Sequence, residues 1–134
     1  MRILLQILIS TAIGCVMAGE LPEEMREMAQ QLHDGCLEET GVDPGLLPPC
    51  MQGNFADDPK LKCYFKCYFS QIGALSDDGV LDAEAFASIL PPEMQNLLPP
   101  IKACSSVTGT DACDVAFHFN KCLQKADPAA FIII

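Results

Sequence analysis

Leu61-Lys62-Cys63-Tyr64-Phe65-Lys66-Cys67-Tyr68-Phe69 sets two cysteines four residues apart among four aromatic rings. Four residues is one helical turn, so on a helix Cys63 and Cys67 lie one above the other on the same face and each can reach a different neighbouring segment. One helix then holds two crosslinks. Tyr64, Phe65, Tyr68 and Phe69 surround that edge, and aromatic side chains bury more area than most others. The stretch reads as the central stave of a small, disulfide-held helical shell with an apolar inner surface.

Working outward, 134 residues with 50% hydrophobic and 19% charged side chains are enough for one domain and one core, and too few for two ordinary domains. The chain begins MRILLQILISTAIGCVMAGE, in which Arg2 precedes an apolar run from Ile3 to Met17 followed by small residues. This layout predicts a secretory signal peptide over residues 1–18, cut after Ala18, and a mature domain over residues 19–134. The run is also short for a permanent bilayer span. Ile13-Gly14-Cys15 has a faint look of a bacterial lipid-attachment site, but Ala12 stands where leucine belongs. Secretion places the mature chain in an extracellular compartment where disulfides form and persist. Loss of residues 1–18 removes Arg2 and leaves seven basic against 18 acidic side chains. Such a surface repels phosphate backbones and anionic membranes, so nucleic acid is excluded as a partner.

The helix signals follow in order. Pro22-Glu23-Glu24 starts a helix, with proline near the first turn and acids favoured by the macrodipole. Met25, Met28, Ala29 and Leu32 then form an apolar stripe that fits ordinary core packing and a cavity wall equally well. Gly35 and Gly41 bracket a short segment around Cys36, and Val42-Asp43-Pro44 opens another that the prolines of Leu47-Pro48-Pro49-Cys50 should end. Asp58-Pro59 is a cap and first turn for the central helix, expected from Pro59 to Gly73. Ser76-Asp77-Asp78-Gly79 resembles part of a calcium loop, yet the first and twelfth positions would be Ala74 and Ala85, which cannot ligate; it is a turn. Asp82 caps a helix whose Phe86, Ile89 and Leu90 share a face. Pro91-Pro92 starts another, carrying Met94, Leu97, Leu98 and Ile101, in which Pro99-Pro100 should make a break or kink before Cys104. The last helix runs from Ala112 to Ala126, with Cys113 and Cys122 on opposite sides. Asp127-Pro128 ends it. The tail that follows finishes Phe131-Ile132-Ile133-Ile134, four apolar side chains that each favour burial by about 1.5–3 kcal/mol, so it should fold back over a groove or a cavity mouth.

Without Cys15 and with Cys50 set aside, Cys36, Cys63, Cys67, Cys104, Cys113 and Cys122 are separated by 26, 3, 36, 8 and 8 residues. Spacing alone does not choose among the pairings of six cysteines. Enzymatic motifs are missing: the chain contains no G-x-S-x-G, P-loop, H-E-x-x-H, dinucleotide fingerprint or Cys-Cys-x-x-His segment. His33 and Asp34, adjacent on a helix, diverge by about 100° and cannot act as base and orienter. The chain is therefore read as a non-enzyme without a cofactor or a metal site.

The cysteine spacing resembles that of the insect odorant-binding proteins with six cysteines, which include the general-odorant and pheromone-binding proteins. Cys63-x3-Cys67 and Cys113-x8-Cys122 carry the resemblance, with Leu32-His33-Asp34-Gly35-Cys36, Leu61-Lys62-Cys63-Tyr64 and Cys113-Asp114-Val115-Ala116-Phe117, and it spans residues 20–134. It implies an all-α fold of about six helices around an internal hydrophobic cavity, held by Cys36–Cys67, Cys63–Cys113 and Cys104–Cys122. It also implies a carrier of small hydrophobic volatile or fatty ligands, odorant-like or pheromone-like, that delivers them to a membrane odorant receptor. The same fold serving outside olfaction, in lipid or semiochemical transport, and a non-binding disulfide-rich defence or structural protein are the competing readings.

By position in the motif, the resemblance places the ligand against Tyr68 and Phe69 of the central helix, Phe86 and Leu90 of the next, and Met94, Leu97, Leu98 and Ile101 beyond it. Phe119, Asn120 and Leu123 of the last helix and Phe131 and Ile132 of the tail complete that wall. Three features depart from the family. Cys50 is extra, and leaves open a buried inert thiol, a mixed disulfide or a link between two chains in a homodimer. The chain has no tryptophan and offers His118 and Leu123 on the last helix instead, and Pro99-Pro100 interrupts a helix that is usually continuous. A structural or surface role is the plainer reading of His33 and His118.

Overall fold

The computed structural model describes residues 21–133; the signal peptide expected over residues 1–18 and the terminal Ile134 lie outside the described residues. Among the described residues six α-helices follow one another: α1 (Glu23–Thr40), α2 (Leu47–Cys50), α3 (Pro59–Gln71), α4 (Ala83–Ile89), α5 (Leu98–Cys104) and α6 (Ala112–Ala126). Short 3₁₀ segments, Pro44–Leu46 and Pro92–Leu97, lead into α2 and α5. Among the described residues the only β pairing is a single antiparallel bridge, Leu75 with Leu81, which closes the Ser76–Gly79 turn. Gly79 has φ +83° there, a conformation that glycine adopts without a Cβ clash.

Caps explain most boundaries. Asp58 accepts from the N–H groups of Lys60 and Leu61 at 2.8 and 3.0 Å, and Pro59 fills the first helical position of α3. Asp82 caps α4 through Glu84 N–H, and Asp111 caps α6 through Asp114 N–H. Asp114 in turn accepts from Thr110 N–H at 3.0 Å. That bond, with His118 and Lys62 nearby, holds its carboxyl below the usual carboxylate range.

Three boundaries differ from the sequence reading. Gly35 interrupts nothing: α1 runs through it to Thr40 and stops at Gly41, whose φ of +67° lets its N–H return to Leu37 C=O. A glycine inside a helix costs about 1 kcal/mol, and a long helix bearing a disulfide absorbs that. Pro48-Pro49 occupies the first turn of α2 and begins the helix it was expected to end, since the first-turn amides have no intrahelical acceptor to lose. Pro99-Pro100 acts likewise. The chain is 3₁₀ up to Leu97 and α-helical from Leu98, so the expected break is a change of helix type with the prolines just inside the new helix.

The helix α3 is central. Leu61, Tyr64 and Phe65 are fully buried along it, with Cys67, Tyr68 and Phe69 nearly so, and it packs chiefly against α6 and next against α1. Disulfides join Cys36 to Cys67, Cys63 to Cys113 and Cys104 to Cys122, which bind α1 and α6 to α3, and α5 to α6. This is the pairing that the resemblance implies. A bridge of this kind stabilises by about 2–4 kcal/mol, in large part by restricting the unfolded chain. Cys50 is free and fully buried, and its thiol donates to Leu46 C=O at 3.3 Å.

Candidate ligand-binding site

The two aromatic pairs of α3 face different surroundings. Phe65 meets Phe117 of α6 and Phe55 of the preceding loop, with ring centroids 6.4 and 6.2 Å apart. Lys62 and Lys121 place their ammonium groups 5.0 and 5.3 Å from the Phe117 centroid. This side is filled. On the other side Tyr68 and Phe69, with Phe86 of α4, border a pocket of about 160 Å³. Apolar cavities of about 150 Å³ are large enough to take up benzene.

The wall is built from every helix except α2. The stripe Met25, Met28, Ala29 and Leu32 contributes from α1, so it serves as cavity wall. Ile72 follows α3, and Ile89 and Leu90 close the end of α4. Met94, Leu97, Pro100 and Ile101 come from the 3₁₀ segment and α5, Asn120 and Leu123 from α6. Met28 is 39% exposed, so the pocket meets solvent beside α1.

The tail returns across this space. Asp127 C=O accepts from the N–H groups of Ala130 and Phe131, turning the chain back, and Ile133 N–H donates to Met51 Sδ at 3.3 Å. Phe131 is thereby buried, stacks edge-on to Phe55 at 6.1 Å, and lines the pocket with Ile132. The expectation that the tail folds onto an apolar surface matches this course up to Ile133.

Of the residues expected at the ligand, Tyr68, Phe69, Phe86, Leu90, Met94, Leu97, Ile101, Asn120, Leu123, Phe131 and Ile132 are brought together around the pocket. Leu98 and Phe119 are not. Leu98 packs against the core, and Phe119 is fully buried with its ring 5.3 Å from Phe69 and 5.6 Å from Phe86, one layer behind the wall. A helix turns by 100° per residue, so Phe119 beside Asn120 and Leu98 beside Leu97 need not share their neighbour's direction. Sequence reasoning missed Leu21, Ile72, Ile89, Pro100, Asp127 and Ala130 in the wall. Of these only Ile89 carried a usable signal, its shared face with Phe86 and Leu90.

Polar groups are few. Asn120, 1% exposed, donates from Nδ2 to the Tyr68 hydroxyl at 2.8 Å. Burial drives the Tyr68 phenol far above its ordinary range, so it remains an uncharged O–H group. The deeper Tyr64 is also raised by burial, and its hydroxyl shares a 2.8 Å hydrogen bond with His33 Nδ1. His118 lies outside the pocket wall and donates from Nδ1 to Thr108 C=O. Among the described residues no group of histidine, cysteine or acidic side chains is arranged to hold a metal ion, and no helix is long and apolar enough to cross a membrane.

Comparison with known proteins follows this geometry. The model of the PBP/GOBP family matches residues 18–126, most of the chain. The chain belongs to the PBP/GOBP family. These are small-ligand carriers rather than enzymes. Among similar proteins is the B1 protein of Tenebrio molitor, 27% identical over 92% of this chain and 96% of its own length. The crystal structure of Locusta migratoria odorant-binding protein lmigOBP1 superposes with a TM-score of 0.74 at 28% identity, covering 84% of this chain and 88% of the locust chain. Odorant-binding protein 7 of Anopheles gambiae, in complex with an azo compound, gives a TM-score of 0.72 at 27% identity over 80% of this chain and 89% of the mosquito chain. The mosquito protein has four disulfide bridges, whereas this PBP/GOBP chain has three and the free thiol of Cys50 among its described residues.

Proposed function

We propose that this PBP/GOBP chain is an extracellular carrier that takes a small hydrophobic molecule, odorant-like or pheromone-like, into the pocket between α1, α3, α4, α5 and α6 and delivers it to a chemosensory receptor. The observation that carries this reading is a wall made almost wholly of apolar side chains from five helices and the tail, in which Asp127 is the only formally charged group among the described residues. A ligand entering it gains roughly 25 cal/mol for each Å² of apolar surface removed from water. Met25, Met28 and Met94 add adaptable wall, which suits guests of several shapes. The wall residues named above are the proposed ligand contacts, and residues 128–134 the proposed lid.

The mosquito relative supports the reading, because it forms a complex with an organic molecule, an azo compound. A carrier of the same fold acting on lipids or semiochemicals outside olfaction would use the same pocket, and the tissue of expression separates the two. The non-binding defence reading predicts a filled core, against which the pocket weighs. The test is saturable uptake of a fluorescent apolar probe by the mature protein, followed by displacement with a panel of volatiles and fatty acids at two pH values. Saturable, displaceable uptake is expected. A probe signal that rises linearly without saturation would end the carrier reading.

A further inference from the structure

The polar end of the pocket is built from two side chains 52 positions apart, Tyr68 on α3 and Asn120 on α6. Their one mutual bond uses an Asn120 N–H and a lone pair of the Tyr68 oxygen. Two capacities are left over: the Tyr68 O–H proton and the Asn120 Oδ1 acceptor have no hydrogen-bond partner among the described residues. Both residues are at least nine-tenths buried and both line the pocket. The unused donor and acceptor thus belong to two adjoining side chains of the pocket wall. Buried polar groups in folded proteins are nearly always partnered, and leaving one unpaired is costly.

We infer that the Tyr68–Asn120 pair selects, among hydrophobic guests, an uncharged one bearing a single hydroxyl group and discriminates against the corresponding carboxylate. A hydroxyl both donates and accepts, so one such group can donate to Asn120 Oδ1 while accepting from the Tyr68 O–H. A carboxylate can only accept. It would leave Asn120 Oδ1 unpaired and press two acceptor oxygens together, and it would lose its hydration in a wall that contains no lysine, arginine or histidine among its described members. The charged side chain in that wall is Asp127, which repels an anion. This inference rests on the carrier reading, and concerns which guests the same pocket prefers.

The experiment uses the mature chain and displacement of a fluorescent apolar probe by three compounds of one chain length: a primary alkanol, the 1-chloroalkane and the alkanoate. Their affinities are compared between the wild type and two variants, Tyr68→Phe and the double variant Tyr68→Phe/Asn120→Leu, each checked for three disulfides and native helicity. At neutral pH the alkanol should bind at least about tenfold more tightly than the alkanoate, as an unpaired buried charge demands. In the variants the ratio of alkanol to chloroalkane affinity should fall roughly three- to tenfold, the worth of one or two hydrogen bonds. An unchanged ratio in both variants, or an alkanoate that competes as well as the alkanol at neutral pH, would overturn the assignment and leave the carrier reading standing. Loss of saturable probe uptake by the wild type would overturn both.

Discussion

Phe65 and Phe69 lie one helical turn apart on α3, yet one sits in a solid aromatic cluster and the other beside empty space. Phe55, Phe65, Phe117 and Phe131 interlock with neighbouring ring centroids 5.9 to 6.4 Å apart, and the loop residue Phe55 touches the other three. Tyr68, Phe69, Phe86 and Phe119 approach as closely, at 4.4 to 5.7 Å, but Tyr68, Phe69 and Phe86 border open space, with Phe119 behind them. Aromatic content does not separate the two regions. The difference is the plug: a loop supplies Phe55 on one side, whereas the other is spanned by methionines, short aliphatics and the returning tail. Close packing in the first region and the disulfides that tie α1 and α6 to α3 allow the second to forgo packing contacts.

The sharpest way to break this comparison is truncation on each side. Phe65→Ala should destabilise by about 3–5 kcal/mol, because a fully buried ring leaves a hole in a packed cluster. Phe86→Ala, at the pocket wall, should lose less, about 1.5–3 kcal/mol, and shift probe displacement toward bulkier guests. Denaturant midpoints at constant slope, read with the displacement series, check both. Equal losses at the two positions would mean that the pocket side is as tightly packed as the other.

A second prediction addresses the residue that the two regions share. Phe131 belongs to the filled cluster and also lines the pocket, so deleting residues 128–134 should weaken probe retention near neutral pH by about tenfold and lower stability as well. Ile132→Ala, in the pocket wall, should weaken retention more than stability. Unchanged affinity in the truncated protein would remove the lid from the account.

The smallest effect is expected from Cys50. Burial pushes its thiol from the ordinary 9.0 up to about 11. The folded state then holds the proton more tightly than the unfolded one, so this contribution to stability is complete below pH 9 and is lost as pH rises towards 11. Tyr64 and Tyr68 act in the same direction at higher pH, so the contribution is isolated by comparing the wild type with Cys50→Ala between pH 9 and 11. A thiol reagent at neutral pH should modify Cys50 only after unfolding, at an unfolding-limited rate. Rapid labelling of the native protein would show a thiol more open than its full burial allows.

Much was legible from local chemistry. Asp58 and Asp82 announced two helix starts because a cap is a contact within four residues. The stripe on α1 announced an apolar face but not what it would face, since core and cavity wall call for the same side chains. Gly35 and Pro48-Pro49 misled for a related reason: their propensities are weak priors that a disulfide-bearing helix and a first-turn position override.

The cysteine intervals and the apolar periodicity were enough for an all-helical, six-cysteine PBP/GOBP chain, because both are patterns written along the backbone. Only the tertiary structure decided which side of α3 is solid and which is hollow, that Phe119 stands behind the wall rather than in it, and that Tyr68 meets Asn120. Each of these depends on where a segment distant in sequence comes to rest. No spacing rule encodes whether a loop phenylalanine or a methionine arrives to fill a given space.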